Sequence, residues 1–241
     1  TPIELALKVV QVLKRNHAIE PENIIEPTCG KGAFVFASAE AFKKSHIHGY
    51  EINPVYVEAA NQVISSQKTE TSIEVRQADF FDMDWEKEIS SMPGGLLVIG
   101  NPPWVTSSEL GLLNSTNLPD KTNFQGRKGI EAITGSGNFD ISEWMLLRHV
   151  EWFSDRDGAI AFLCKTSVAR KVMRQVRQAK KLRFFGHIYP IDAKAYFDAS
   201  VEACLFVLTT EVGNADCEVY ESLDSTVPSH VIGERDGLIV S

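Results

Sequence analysis

Short β-branched runs alternate with stretches of helical period along most of this chain, and that alternation restricts it to strand–helix–strand units on a largely parallel sheet. The spacing predicts helices over Ile3–Lys14, Ala33–Lys44, Val55–Ser65, Ile141–Phe153 and Val168–Lys180. Between them lie candidate strands in "NIIEP", "HIHGYEI", "SIEVRQA", "GLLVIG", "GAIAFLC", "RFFGHIY" and "ACLFVLT", seven in all, with an eighth candidate at "CEVYES". One segment breaks the rhythm. Residues 105–140 are rich in Ser, Thr, Asn and Gly and far exceed the few residues of an ordinary connection, which marks a functional loop or a surface insertion.

The bulk properties narrow the class. With 241 residues, 44% hydrophobic, the chain can bury one main core. No run approaches the roughly 18 apolar residues of a membrane span, so it reads as soluble and cytoplasmic. Cys29, Cys164, Cys204 and Cys217 form no C-x-x-C pair and read as reduced structural thiols. A net charge of −8 argues against a surface that coats nucleic acid everywhere, though not against a local basic patch. The opening Thr1 and the apolar end "GLIVS" read as the ends of a fragment of a longer protein.

The strand "GLLVIG" runs into "NPPW" at Asn101–Trp104. Proline cannot donate to a sheet ladder and locks its own φ, so Pro102 and Pro103 stop the strand and hold a rigid loop at its carboxyl end, where α/β sheets bind ligands. The Asn101 amide oxygen and the Pro102 carbonyl are two acceptors converging on one point, which suits an NH2 group. Trp104 offers a flat face for the ring bearing it.

Upstream, "IIEPTCGKGAF" sets Gly30 and Gly32 at a strand-to-helix turn where backbone can approach a ligand closely. Val35 stands where a dinucleotide fingerprint wants its third glycine, which weakens a nicotinamide reading. Glu51, ending the second strand, is spaced to accept from both ribose hydroxyls. Asp79 and Phe80, ending the third, are placed to accept from an adenine amino group and to stack on its ring. Singly, Glu26 and Glu51 read equally well as solvated strand ends, Asp79 as a helix cap and Phe80 as core. Together, at the ends of successive strands, they read as a site.

The series "TP", "EPTCGKGAF", "GYEIN", "QADFF", "GNPPW" and "AYFDASVEACLFVLT" resembles the gamma motif order of S-adenosylmethionine-dependent N6-adenine DNA methyltransferases. The resemblance covers residues 1–210 as catalytic domain, with the 105–140 insertion, and leaves 211–241 as a C-terminal extension, the start of a further region. It implies a class I methyltransferase (Rossmann-like) α/β fold, a seven-stranded mainly parallel sheet with the last strand antiparallel and helices on both faces. It further implies that Thr1, Glu26, Pro27, Thr28, Gly30, Gly32, Glu51, Ile52, Asp79, Phe80 and Asn101 hold S-adenosylmethionine. Asn101, Pro102, Pro103 and Trp104 would then carry catalysis on the N6 amine of an adenine flipped from duplex DNA. Phe197, or the adjacent Tyr196, matches the aromatic that packs on that base. Only about 30 residues follow the last core strand, too few for a recognition domain burying roughly 1,000 Å² on DNA. A C-terminal target recognition domain or a separate specificity subunit is therefore expected.

Other readings stay open. The same Asn-Pro-Pro-aromatic logic serves protein glutamine or ribosomal RNA amines, and a cofactor-binding module without catalysis within a restriction assembly is a third possibility. Arg170, Arg174, Arg177 and Lys181 fall on one helical stripe opposite Val172, Met173, Val176 and Ala179, suited to a phosphate backbone or to a solvated outer face. His46 and His48 alternate on a strand without an acid or cysteine to complete a ligand set, so no metal site is expected.

Overall fold

A computed structural model describes residues 1–66, 71–106, 140–153, 156–179, 183–210, 216–235 and 238–240. Ten strands form one sheet: β1 (Asn23–Glu26), β2 (His46–Glu51), β3 (Ser72–Gln77), β4 (Leu96–Gly100), β5 (Gly158–Lys165), β6 (Phe184–Ile191), β7 (Ala203–Thr210), β8 (Cys217–Val219), β9 (His230–Arg235) and β10 (Leu238–Val240). Their spatial order is β10-β9-β8-β6-β7-β5-β4-β1-β2-β3. β1 to β5 pair in parallel, while β7 lies antiparallel between β5 and β6. The seven strands expected from the sequence are all present. The 211–241 segment adds three more, with β8 parallel to β6 and then the antiparallel pairs β8–β9 and β9–β10.

Helices cover both faces. α1 (Ile3–His17) and α2 (Ala33–Ala41) pack on one side, α5 (Ile141–Trp152) and α6 (Thr166–Gln178) on the other, and α3 (Pro54–Ser66) lies against β2 and β3. Two short helices carry no clear periodic signal in the sequence, α4 (Trp85–Ser90) and α7 (Ala193–Phe197). Each opens on an aspartate whose side chain accepts a backbone N–H three residues on, Asp84 from Lys87 at 3.1 Å and Asp192 from Ala195 at 2.9 Å. Alternation along a strand divides the core. Leu96 and Val98 join the cluster of α5 and α6, whereas Leu97 and Ile99 join that of α1 and α2, and all four are fully buried. Being buried on both faces is why β4 reads as a continuous apolar run.

The chain order 5-4-1-2-3 reverses direction between β4 and β1. At that switch point the crossovers leave to opposite sides and a crevice opens beyond the carboxyl ends of the two strands. β1 ends at Glu26 and β4 at Gly100, so the glycine turn and the Asn-Pro-Pro-Trp loop emerge side by side. The segment 105–140 departs from the same place. Thr106 and Asp140 form an isolated antiparallel bridge and Ile141 N donates to Val105 O at 3.0 Å, while residues 107–139 lie outside the described residues.

Candidate active site

The turn after β1 is shaped by backbone that only glycine adopts cheaply. Gly30 has φ +54° and Gly32 φ +82°. A Cβ built on Gly32 would meet Phe36 at 3.0 Å, whereas one built on Gly30 would meet no heavy atom within 4 Å, leaving room for a ligand on that side. Glu51 fastens this turn from the neighbouring strand: its two carboxylate oxygens accept from Gly30 N and from Asn53 N, each at 2.8 Å. Cys29 N donates to Tyr50 O at 2.8 Å and repeats the tie one residue earlier. With both oxygens oriented but each keeping a lone pair, Glu51 can still accept from a diol.

Glu26 does something other than cap a solvated strand end. It is buried, its Oε2 accepts from Val35 N at 2.9 Å in the first turn of α2, and burial lifts its carboxyl well above the usual range. Thr28 carries a buried Oγ1 without a hydrogen-bond partner. Buried polar atoms are almost always paired, so an orphan at the wall of a crevice marks a place for a ligand atom.

Beyond β4, Pro102 is buried and Pro103 exposed. The Asn101 Nδ2 donates to Thr1 Oγ1 at 3.2 Å, and the Asn101 Oδ1 is buried with no partner. Trp104 is pinned by its indole N–H, which donates to Leu163 O at 3.1 Å, and its ring meets Phe197 edge to face with centroids 5.2 Å apart at 72°. These residues, with Thr28 and Glu51, line a cavity of about 350 Å³. A second cavity of about 260 Å³ shares Thr28, Glu51 and Pro103 with it and runs along Pro27, Ile52, Ala78, Asp79, Phe80 and Phe81 to Ile141 and Met145. The two compartments meet at the glycine turn.

Most of the sequence-derived site residues converge here, with informative exceptions. Phe80 borders the second cavity but is 5% exposed, its ring packed among Phe81, Trp85, Trp144, His149 and Trp152. Half-buried Phe81 joins the site without having been expected there, although "QADFF" offers both rings; Asp79 turns the backbone there by accepting from Phe81 N at 2.9 Å. Ile141 and Met145 are further unexpected members, since the helix start "DISEWM" reads as core. Phe197 lines the first cavity, while Tyr196 is not part of that lining and its hydroxyl accepts from Lys8 Nζ at 3.3 Å. Arg170, Arg174 and Arg177 line a separate cavity with Met173, Ile188, Cys217, His230 and Ile232, sharing no residue with the crevice. Val172, Met173 and Val176 are buried as the apolar stripe requires, and Lys180 and Lys181 lie outside the described residues.

Comparison with known proteins decides what the crevice belongs to. Residues 20–92, which span β1, the glycine turn and β2 to β3, match a family described as a methyltransferase domain. The chain is 39% identical over 246 residues to the type II methyltransferase M.NspV of Nostoc sp., an alignment covering 100% of this chain and 50% of that protein. It has the class I methyltransferase fold. A second type II methyltransferase, M.CvrRI of Paramecium bursaria Chlorella virus XZ-6E, is 37% identical over 87 residues, 36% of this chain and 20% of that protein. The chain thus spans about half the length, or less, of the curated relatives it matches. Among solved structures, a methyltransferase from Pyrococcus furiosus superposes with a TM-score of 0.50 at 12% identity, covering 86% of this chain and 83% of that one. A dimethyladenosine transferase from Plasmodium falciparum gives 0.50 at 10% identity, covering 86% and 61%. S-adenosylmethionine is the cofactor that the methyltransferase family match and the type II methyltransferase relatives imply. The residues fit it: Glu51, with its carboxylate oriented, and Thr28, with its orphaned hydroxyl, line both adjoining compartments, and the turn has open space beside Gly30.

Proposed function

We propose that this chain transfers a methyl group from S-adenosylmethionine to the exocyclic N6 amine of adenine in DNA, the target base being turned out of the duplex. The observation that carries the reading is Asn101 Oδ1, a buried acceptor without a partner at the wall of the cavity that Trp104 and Phe197 also line. The type II methyltransferase relatives support DNA as the substrate.

An aromatic amine is a poor nucleophile because its lone pair is spread into the ring. Asn101 Oδ1 and the Pro102 carbonyl, accepting one N–H each, favour the pyramidal nitrogen that appears only as the new bond forms, so they stabilise the transition state more than the bound substrate. The bound cofactor supplies an electrophilic methyl on a sulfonium. That methyl would be taken up by the nitrogen lone pair, the sulfur keeping the C–S electron pair, and the proton shed by the nitrogen would pass to water. Glu51 holds the ribose hydroxyls, Gly30, Gly32, Pro27, Thr28 and Ile52 line the approach, Asp79 takes the adenine amino group, and Phe80 with Phe81 walls that end. Trp104, its indole N–H fixed by Leu163 O, and Phe197 offer the aromatic surface against which the target base packs.

On the same reading, Arg170, Arg174 and Arg177 contact DNA phosphates outside the crevice, and sequence is read by a C-terminal recognition domain or a specificity subunit, since phosphate contacts position a protein on DNA without specifying sequence. No helix among the described residues is long and apolar enough to cross a membrane, in keeping with a cytoplasmic enzyme. Offering duplex DNA, ribosomal RNA and a glutamine-bearing release-factor protein to the intact protein with labelled donor tests the reading. Label in DNA is the expected result; label only in RNA or protein would overturn it.

A further inference from the structure

Thr1 stands in the site for a reason that cofactor binding alone does not cover. A primary amide has two ends of nearly equal size and opposite hydrogen-bonding character, so half a turn about its last bond replaces the acceptor by a donor. An Asn101 turned the wrong way would set its NH2 against the target NH2. In the structure Asn101 Nδ2 donates to Thr1 Oγ1 at 3.2 Å, and in that orientation Oδ1 is the buried, unpartnered end.

The hydroxyl that does this is delivered across 100 residues of sequence by a rigid support. Pro2, at φ −62° and ψ 141°, caps α1 and accepts from Ala6 N at 3.2 Å, and a residue preceding proline is itself held in the extended region. Below it Leu5, Ala6, Val9 and Leu13 are fully buried against α2 and the sheet, so the helix cannot drift without opening the core. The same helix reaches the other wall of the target cavity through Lys8, which donates to Tyr196 next to Phe197.

We infer that Thr1 is a positioning residue for catalysis, its hydroxyl holding the Asn101 amide with the oxygen toward the target amine. The inference rests on the reading of Asn101 as the acceptor for that amine. Thr1→Val keeps the shape of the side chain and removes the acceptor; Thr1→Ser keeps the acceptor. In the intact protein, Thr1→Val is expected to lower kcat at least about tenfold while calorimetry finds the cofactor Kd within about threefold of the parent, and Thr1→Ser is expected to restore kcat. A Thr1→Val protein with unchanged kcat, or one in which kcat and cofactor affinity fall together, or failure of Thr1→Ser to restore turnover, would overturn it. Asn101→Ala measured in parallel separates the two levels: if only the Thr1 variants keep turnover, the positioning role falls and the proposed reaction stands; if Asn101→Ala keeps it too, the reaction assignment falls.

Discussion

The carboxylate of Glu51, at the end of β2, accepts the backbone N–H of Gly30 at 2.8 Å across the gap between two strands, and the second oxygen accepts Asn53 N at the same distance. The glycine turn is therefore braced by the side chain proposed to bind the cofactor ribose. Glu51→Ala removes both duties and is expected to weaken S-adenosylmethionine binding by at least about tenfold to a hundredfold, a single charge-assisted hydrogen bond being worth roughly 1.5–3 kcal/mol. Isothermal titration of folded variant and parent measures it; equal affinities would remove Glu51 from the cofactor site.

Trp104 and Phe197 wall the first, larger cavity and meet there edge to face. Phe197→Ala is expected to raise KM for DNA and leave cofactor affinity untouched, with a loss in kcat/KM of about fivefold to 150-fold, the range that one base stacking on an aromatic ring supplies. Steady-state kinetics at saturating cofactor read the change directly.

Two histidines bury neutral rings where α1 meets the sheet extension. His17 and His187 lie with ring centroids 4.2 Å apart; Tyr189 OH shares a hydrogen bond with His17 Nε2 at 2.9 Å, and Glu218 lies 3.2 Å from His187 Nδ1. Burial, and then the neighbouring ring, pushes His17 down to about 3, and burial pushes His187 down to about 4. A histidine with a lowered folded pKa binds its proton first in the unfolded chain. Stability is then full above about pH 6.5 and is lost as pH falls toward 4 and 3, by roughly 1.4 kcal/mol per pH unit for each ring still neutral in the fold. Thermal unfolding midpoints at pH 7, 6, 5 and 4.5 check this, and His187→Asn is expected to shallow the decline.

Glu26 is expected to act with the opposite sign. Its folded pKa is raised, so the folded chain keeps the proton longer than the unfolded one, and stability is lost as pH rises from about 4.3 through the folded value. Glu26→Gln keeps an acceptor for Val35 N and is expected to gain stability relative to the parent as pH rises. Parallel denaturant titrations at pH 5 and 8 compare the two; a constant difference would place the carboxyl in a solvated setting.

The sheet is legible in the sequence because β4, β5 and β7 carry near-continuous apolar runs while the outer strands show short β-branched or alternating ones, and because Asn101, Gly30 and Glu51 sit at or just past strand ends that the topology must bring together. What stays hidden is long-range or ambiguous chemistry. Nothing in the sequence says that Thr1 meets Asn101, since that depends on how α1 lies across the sheet. Phe80 and Phe81 are adjacent aromatics, and only packing around Trp85 and Trp144 shows which ring is core. β9 goes unannounced because a short strand of mixed polarity lacks the pattern of a buried run, and β10 because three apolar residues are too few to distinguish a strand. Arg170 and its neighbours do share one helical face, as their spacing requires, but the face lines a cavity away from the crevice.

That face gives its own test. Replacing Arg170 and Arg174 by Ala is expected to flatten the dependence of log binding constant on log salt by about 0.9 for each phosphate no longer neutralised, with cofactor affinity unchanged. An unaltered slope would mark the arginines as a solvated surface.

The most direct measurement follows the acceptor on Asn101. Intact protein and its Asn101→Ala variant are incubated with duplex DNA and labelled S-adenosylmethionine, the DNA is digested to nucleosides, and cofactor affinity is titrated on the same preparations. The account predicts N6-methyladenine from the parent, its loss by at least about a thousandfold in the variant, and cofactor Kd values within about threefold of each other. A methyl group found on another base, or turnover surviving in the variant within about tenfold, would contradict it.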